Sequence, residues 1–216
     1  MNYISLDENE SFLIKNFSLN DMSKFQLLIN SEFYKKLFNG TLSEERFEYF
    51  IIYDMNFLLQ KALFIMNFVQ RNILTLDYKE TNTVLRLASI ILEKRNLIIQ
   101  DCEKFFNKKS IQNPEIEKYF TKMIKMVSKN INLFDNVVYS STLIFYFIVK
   151  HNTKYYKKDS KYDCFLLHLM SDDYLEISQQ AIHLINNSYK ISKNKKEIMD
   201  ILNLTIKFDL DFIRYE

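Results

Sequence analysis

The stretch FYKKLFNGTLSEERFEYFIIYDMNFL, residues 33–58, decides the fold. Its first apolar residues recur at helical spacing, and Asn39-Gly40 follows them as a helix C-terminal signal. Thr41 and Glu44 then form a capping-box pattern for the next helix, which extends from about residue 43 to about residue 72. A helix of about 30 residues that follows another helix after a short turn is typical of a bundle.

The composition of the whole chain indicates the same fold class. The 216 residues include one Gly and one Pro, whereas a β-rich fold of this size needs many of both in its turns. We therefore predict an all-α, multi-helix bundle of seven or eight helices in a single domain, residues 1–216. Besides the helix over about 43–72, helical periodicity predicts helices over about 12–38, 79–107, 114–129, 133–151, 161–170, 171–189 and 193–215.

Charge and hydropathy exclude several classes of partner. The net charge is +2, from 29 basic and 27 acidic residues, so no strong field attracts nucleic acid or acidic lipid. No stretch approaches the roughly 18 uninterrupted apolar residues of a membrane span. Residues 1–11 are acidic and lack the basic region of a signal peptide. The sequence predicts a cytoplasmic protein that binds neither nucleic acid nor a membrane.

Metal and cofactor chemistry has little support in the sequence. The three histidines, His151, His168 and His183, lack the carboxylate three residues earlier that a di-iron bundle requires. A haem site of the haem-oxygenase type usually takes its axial histidine from the first helix, and no histidine precedes His151. Cys102 and Cys164 form no zinc spacing. We predict no metal and no cofactor.

Residues 33–58 resemble a segment of the TenA/thiaminase II family. The family pattern is Phe, seven positions on a Gly, then Thr-Leu, two acids, Phe, an aromatic residue and Gln-Asp-x-x-Tyr-Leu. The spacing holds over all 26 residues, and the lone glycine of the chain, Gly40, stands at the family's glycine. Two positions differ, since Tyr53 replaces the usual Gln and Phe57 the usual Tyr.

Fainter similarity to the same family covers most of the chain. Phe120 stands where the family has a tyrosine, and Leu169 where it has another pocket tyrosine. Thr142 occupies the position of the active-site cysteine, with the tyrosine four residues later retained as Tyr146. Near the C-terminus, Asp209 stands at the catalytic glutamate.

The resemblance implies a haem-oxygenase-like fold, a homo-oligomer (dimer or tetramer) and a pocket for a thiamin-derived aminopyrimidine. Family chemistry is hydrolytic, the removal of an amino, formylamino or thiazole substituent in vitamin B1 salvage. Asp54 would accept hydrogen bonds from the amidine-like edge of the ring, and Asp209 would carry the proton. The remaining predicted substrate contacts are Phe50, Phe57, Phe120, Thr142, Tyr146 and Leu169.

The missing cysteine leaves two hypotheses open. A second branch of the family, which includes plant members, also lacks the cysteine and relies on carboxylates; Glu93 and Asp209 are candidate acids here. The chain would then be a hydrolase that uses a cysteine-independent route. The alternative is a catalytically inactive relative, which binds a pyrimidine-type ligand or acts as an oligomeric interaction protein.

Overall fold

A computed structural model describes residues 15–106 and 113–214, and within them the chain forms helices and no strand. The predicted all-α bundle is confirmed. Short 3₁₀ turns cover Glu103–Phe105, Ile131–Leu133 and Thr153–Tyr155. The α-helices of the described residues are α1 (Leu19–Ile29), α2 (Glu32–Phe38), α3 (Glu44–Asn72), α4 (Tyr78–Asp101), α5 (Pro114–Lys129), α6 (Phe134–Asn152), α7 (Asp163–Leu169), α8 (Asp172–Ile191) and α9 (Lys195–Ile213).

Over residues 19–38 the first predicted helix is divided into two helices, α1 and α2. Ser31 has an extended backbone and its Oγ accepts a hydrogen bond from the backbone N–H of Tyr34 at 3.4 Å, so it caps α2 and separates it from α1. Apolar periodicity continues across this break, which is why the sequence indicated one helix. The predicted helix ends at residues 12, 107 and 215 lie outside the described residues.

The start of α3 also differs in detail from the prediction. Ser43, rather than Thr41, is the N-cap, since its Oγ accepts from the backbone N–H of Arg46 at 3.3 Å. The Thr41 hydroxyl instead donates to the Asn39 side chain at 2.6 Å. The predicted capping box is therefore wrong, although the position of the helix is right.

Contacts between Cα atoms divide the chain into two compact units. The hairpin unit is Ser43–Met126, which contains α3, α4 and most of α5. The larger unit comprises the described residues of Met1–Leu42 and Val127–Glu216 and contains α1, α2 and α6 to α9. That the chain is a single domain stays a prediction.

The hairpin unit is built on α3 and α4, which pack against each other along their length. Their register is fixed at one point by Arg95, whose Nε donates to the Met55 carbonyl oxygen at 3.0 Å. At the start of α3, Phe47 packs edge-on against Phe105, with ring centroids 4.7 Å apart. The Arg95 contact holds the last third of α4 level with the first half of α3.

In the larger unit α6 is the central helix, as predicted for residues 133–151. It packs against α8, α9, α1 and α2, and most of its residues are buried. Phe147 meets Phe25 of α1 edge-on at 5.4 Å, and the Asn152 side chain donates to the Ile29 carbonyl oxygen at 2.9 Å. The Asn152 amide thus links the C-terminal end of α6 to the end of α1.

Gly40 ends α2 in a conformation that favours glycine. Its φ is +76°, and a Cβ built there would lie 3.0 Å from the Ser160 Cβ. We expect Gly40→Ala to lower the free energy of unfolding by about 1–2 kcal/mol, because an L side chain is strained in this region. Urea unfolding measures the change. The double variant Gly40→Ala/Ser160→Gly should recover only the part of the loss that comes from the close contact with the Ser160 side chain, because the backbone strain remains. An unchanged stability of Gly40→Ala would contradict a strained backbone at this position.

In the part of the chain that the structure describes, two helical stretches are long and apolar enough to cross a membrane when judged by length and composition. They are Glu44–Asn72 and Ile131–Tyr155, and in each the most apolar window is 56% buried inside the protein. Core helices of soluble proteins pass the same test, so the two stretches are weak evidence for a membrane span. The cytoplasmic location stays a prediction.

Candidate functional site

One face of α3 carries polar and aromatic side chains in a regular order. Phe50, Asp54, Phe57, Lys61 and Phe64 follow one another at intervals of four and three residues. With 3.6 residues per turn, these intervals keep all five on one narrow side of the helix. The four residues other than Asp54 are buried, and Asp54 is partly buried. We call this set the α3 stripe.

Aromatic residues of α5 pack on the α3 stripe. The Phe120 ring lies 5.1 Å from Phe57 and 5.9 Å from Phe64, measured between centroids. The neighbouring Tyr119 lies 5.7 Å from Phe57. The structure therefore brings together two of the predicted substrate contacts, Phe57 and Phe120, in a cluster whose faces suit a flat heterocycle.

The Asp54 carboxyl group lies in a desolvated environment. Burial raises its pKa from 3.8 to about 6, although the positive charges of Lys94 and Lys61 act in the opposite direction. Within residues 15–106 and 113–214, the Asp54 carboxylate has no hydrogen bond and no ion pair. A carboxyl group of this kind changes its protonation state close to neutral pH and has its oxygens available to a ligand.

Lys61 is the member of the stripe that the sequence reasoning missed. Its side chain is buried, and burial together with the Lys94 charge lowers its pKa from 10.5 to about 7, while Asp54 raises it. A signal was present, because Lys61 lies two helical turns beyond Asp54 among apolar neighbours. A lysine at such a position is expensive to bury and marks a candidate site.

The remaining predicted residues lie in the larger unit. Thr142 and Tyr146 are partly buried one turn apart on α6, Leu169 is buried at the end of α7, and Asp209 is partly buried on α9. The Lys150 ammonium lies 5.8 Å from the centroid of the Tyr146 ring. Their roles in a substrate site stay predictions.

Two further predictions concern acids and metals. Glu93 is exposed on α4, whereas its neighbour Lys94 is partly buried and acts on Asp54. Glu93 is therefore the weaker of the two candidate acids. Among the residues that the structure describes, no three His, Cys, Asp or Glu side chains form a group that could hold a metal ion.

No family model and no curated protein matches the chain. The resemblance of residues 33–58 to the TenA family accordingly stays a prediction.

Proposed function

We propose that the chain is a TenA-like hydrolase of thiamin-derived aminopyrimidines, which acts in vitamin B1 salvage by a cysteine-independent route. It would work in the cytoplasm as a homo-oligomer, a dimer or tetramer. One observation supports the proposal. Asp54 has a desolvated carboxyl group in the α3 stripe, one helical turn from the aromatic cluster of Phe57 and Phe120. By the resemblance, Asp54 stands where the family binds the edge of the pyrimidine ring.

The chemistry of Asp54 suits an aminopyrimidine. The ring presents an amino donor beside a ring nitrogen, and a carboxyl group can match this edge in either protonation state. As a carboxylate it accepts from the amino group and from a protonated ring nitrogen; as an acid it donates to a neutral one. A pKa of about 6 makes both states accessible near neutral pH. The aromatic cluster would stack the ring.

A cysteine-independent route makes a direct prediction. Neither cysteine stands at the family's nucleophile position, and Cys102 is buried. We expect the double variant Cys102→Ala/Cys164→Ala to keep ammonia release within about twofold of the wild type, because water would replace the amino group on the methylene carbon without the help of a thiolate. A large loss of turnover in a variant with unchanged circular dichroism would contradict this route.

The alternative proposal, an inactive relative, has specific support. Thr142 is a poor nucleophile without an adjacent base, and Phe57, Phe120 and Leu169 lack the hydroxyl groups of the family's tyrosines. Such a protein would bind a pyrimidine-type ligand, or act as an oligomeric interaction protein, without turning a substrate over.

Ammonia release from an aminomethyl-pyrimidine separates these proposals. The hydrolase proposal predicts turnover that is lost in Asp54→Asn. Binding without catalysis predicts no turnover but a thermal shift from the corresponding hydroxymethyl-pyrimidine. If neither signal is observed, the salvage function is contradicted and the interaction role remains.

A further inference from the structure

Two segments of the larger unit lie side by side and present exposed lysines. The backbone N–H of Lys157 donates to the Phe38 carbonyl oxygen at 3.0 Å, and the Tyr162 hydroxyl donates to the Leu42 carbonyl oxygen. These bonds fix residues 153–163 against the end of α2 and the turn that follows it. Four exposed lysines of the two segments form what we call the lysine face: Lys36, Lys154, Lys157 and Lys158.

The acids of the same two segments do not balance the lysine face. Glu32 pairs with Lys35, a further lysine of α2, at 2.6 Å between the carboxylate oxygen and the ammonium nitrogen. The Asp163 carboxylate accepts from the Ser160 hydroxyl at 2.9 Å and from the Asp159 backbone N–H at 2.8 Å. Asp159 is thus the one acid of these segments whose carboxylate is not engaged in this way. The four ammonium groups of the lysine face form no ion pair with any residue that the structure describes.

A buried histidine responds to the positive charge at this end of the unit. The His151 side chain, near the end of α6, is buried, and its Nε2 has no hydrogen-bond partner within residues 15–106 and 113–214. Burial lowers the pKa of His151, and the charges of Lys154 and Lys35 lower it further. These two lysines belong to different segments, so both segments contribute to one region of positive potential.

The surroundings of the lysine face favour one class of anionic partner. A membrane-binding surface adds exposed apolar side chains that enter the lipid, but the large hydrophobic side chains of residues 31–42 and 153–163 are buried or half-buried. A single-stranded nucleic acid stacks its bases on aromatic rings. Here the Lys154 ammonium lies 5.0 Å from the centroid of the Tyr155 ring, and Tyr162 is buried. Carboxylates need neither an apolar anchor nor a stacking surface.

We propose that the lysine face binds an acidic segment of a partner protein, in which several Asp or Glu carboxylates pair with its four ammonium groups. Ammonium groups that lie together repel one another, and carboxylates placed between them remove that repulsion. Because each exposed ion pair is weak, the segment needs several acids to bind measurably. The lysine face belongs to the larger unit and Asp54 to the hairpin unit, so the inference goes beyond the proposed hydrolysis and does not depend on it.

Fluorescence anisotropy of labelled, amidated hexaglutamate with the full chain tests the inference at pH 7.5. We expect saturable binding at about 20 mM salt that weakens at least about tenfold at about 200 mM, because salt screens exposed charges. Lys157→Gln/Lys158→Gln should weaken binding at least about fivefold, whereas Lys157→Arg/Lys158→Arg keeps both charges and should retain it. The matched control, Lys122→Gln/Lys125→Gln, removes two exposed lysines of α5 and should leave the affinity unchanged.

Two other anions serve as competing probes, a thymidine heptanucleotide, whose phosphates match the side-chain charges of hexaglutamate, and vesicles rich in phosphatidylserine. If either one binds as tightly as hexaglutamate or more tightly, and the binding depends on Lys157 and Lys158, an acidic protein segment is overturned as the partner. Equal affinity of the wild type and Lys157→Gln/Lys158→Gln for hexaglutamate would also overturn the inference. The same holds if the peptide does not bind the wild type at about 20 mM salt. Circular dichroism confirms that each variant is folded.

Discussion

Replacing Asp54 with asparagine should lower ammonia release from an aminomethyl-pyrimidine by at least about 100-fold at pH 7.5, with the helical fold intact. Asparagine keeps the size of the side chain but offers neither a negative charge nor an exchangeable acid proton. The exposed carboxylate of Glu93 provides a matched comparison in the same unit, and Glu93→Gln should retain turnover. Wild-type turnover in Asp54→Asn would remove Asp54 from the site.

The same substitution should make the protein more stable. Burial raises the folded-state pKa of Asp54 from 3.8 to about 6, so the folded chain binds a proton more tightly than the unfolded chain between these values. Stability of the wild type therefore falls as the pH rises from about 4 to about 6, and the cost remains at neutral pH. Asp54→Asn should be more stable by up to about 3 kcal/mol above pH 6, converging with the wild type near pH 4.

Urea unfolding across this pH range measures the difference. If Asp54→Asn is both inactive and more stable than the wild type, the Asp54 carboxylate serves a ligand and lowers the stability of the fold. If Asp54→Asn is instead less stable than the wild type at neutral pH, the carboxylate stabilises the fold through a partner in the protein. That result would contradict the role of Asp54 in ligand binding.

Replacing Lys61 with methionine should give the second large effect, a gain of roughly 3–5 kcal/mol in unfolding free energy at pH 6. Burial lowers the folded-state pKa of Lys61 from 10.5 to about 7, so the charged form is disfavoured inside the protein. The cost is complete below about pH 7 and declines as the pH rises towards 10.5, where both states are neutral. Methionine has a similar length and no charge to bury.

The pH dependence of this gain is its most specific feature. Wild type and Lys61→Met should converge in stability as the pH approaches 10, whereas Lys79→Met should change little at any pH because Lys79 is exposed. A pH-independent gain would indicate that better packing, rather than removal of a buried charge, stabilises the variant. A loss of stability at pH 6 would contradict the unfavourable burial of the Lys61 ammonium.

Local signals predicted most of the helix boundaries. The Ser171 Oγ accepts from the backbone N–H of Tyr174 at the start of α8, and the Asn113 side chain accepts from that of Glu115 at the start of α5. Both signals act within three residues, which makes them readable from the sequence. The cap at Ser31 was missed because apolar periodicity continues across it. The cap of α3 was assigned to Thr41 instead of Ser43 because both side chains carry a hydroxyl group near the helix start.

The site was predictable only in part, for a comparable reason. Asp54 and Phe57 were identified by a family-like spacing within one helix. Lys61 lies on the same face among apolar neighbours, which is a signal in the sequence, but lysine is usually a surface residue, and its burial in the folded unit decides the question. Lys94 acts on Asp54 because α3 and α4 share a particular register, and that depends on contacts 40 residues apart in the chain. Spacing within a single segment carries no such information.

The most direct test of the central claim is calorimetric titration of the wild-type chain and Asp54→Asn with an aminopyrimidine at pH 7.5. The account predicts saturable one-site binding to the wild type that weakens at least about tenfold in Asp54→Asn, since a charge-assisted hydrogen bond is lost. Equal affinity in the two proteins, or no binding to the wild type, would contradict the assignment of Asp54 as the group that binds the ring.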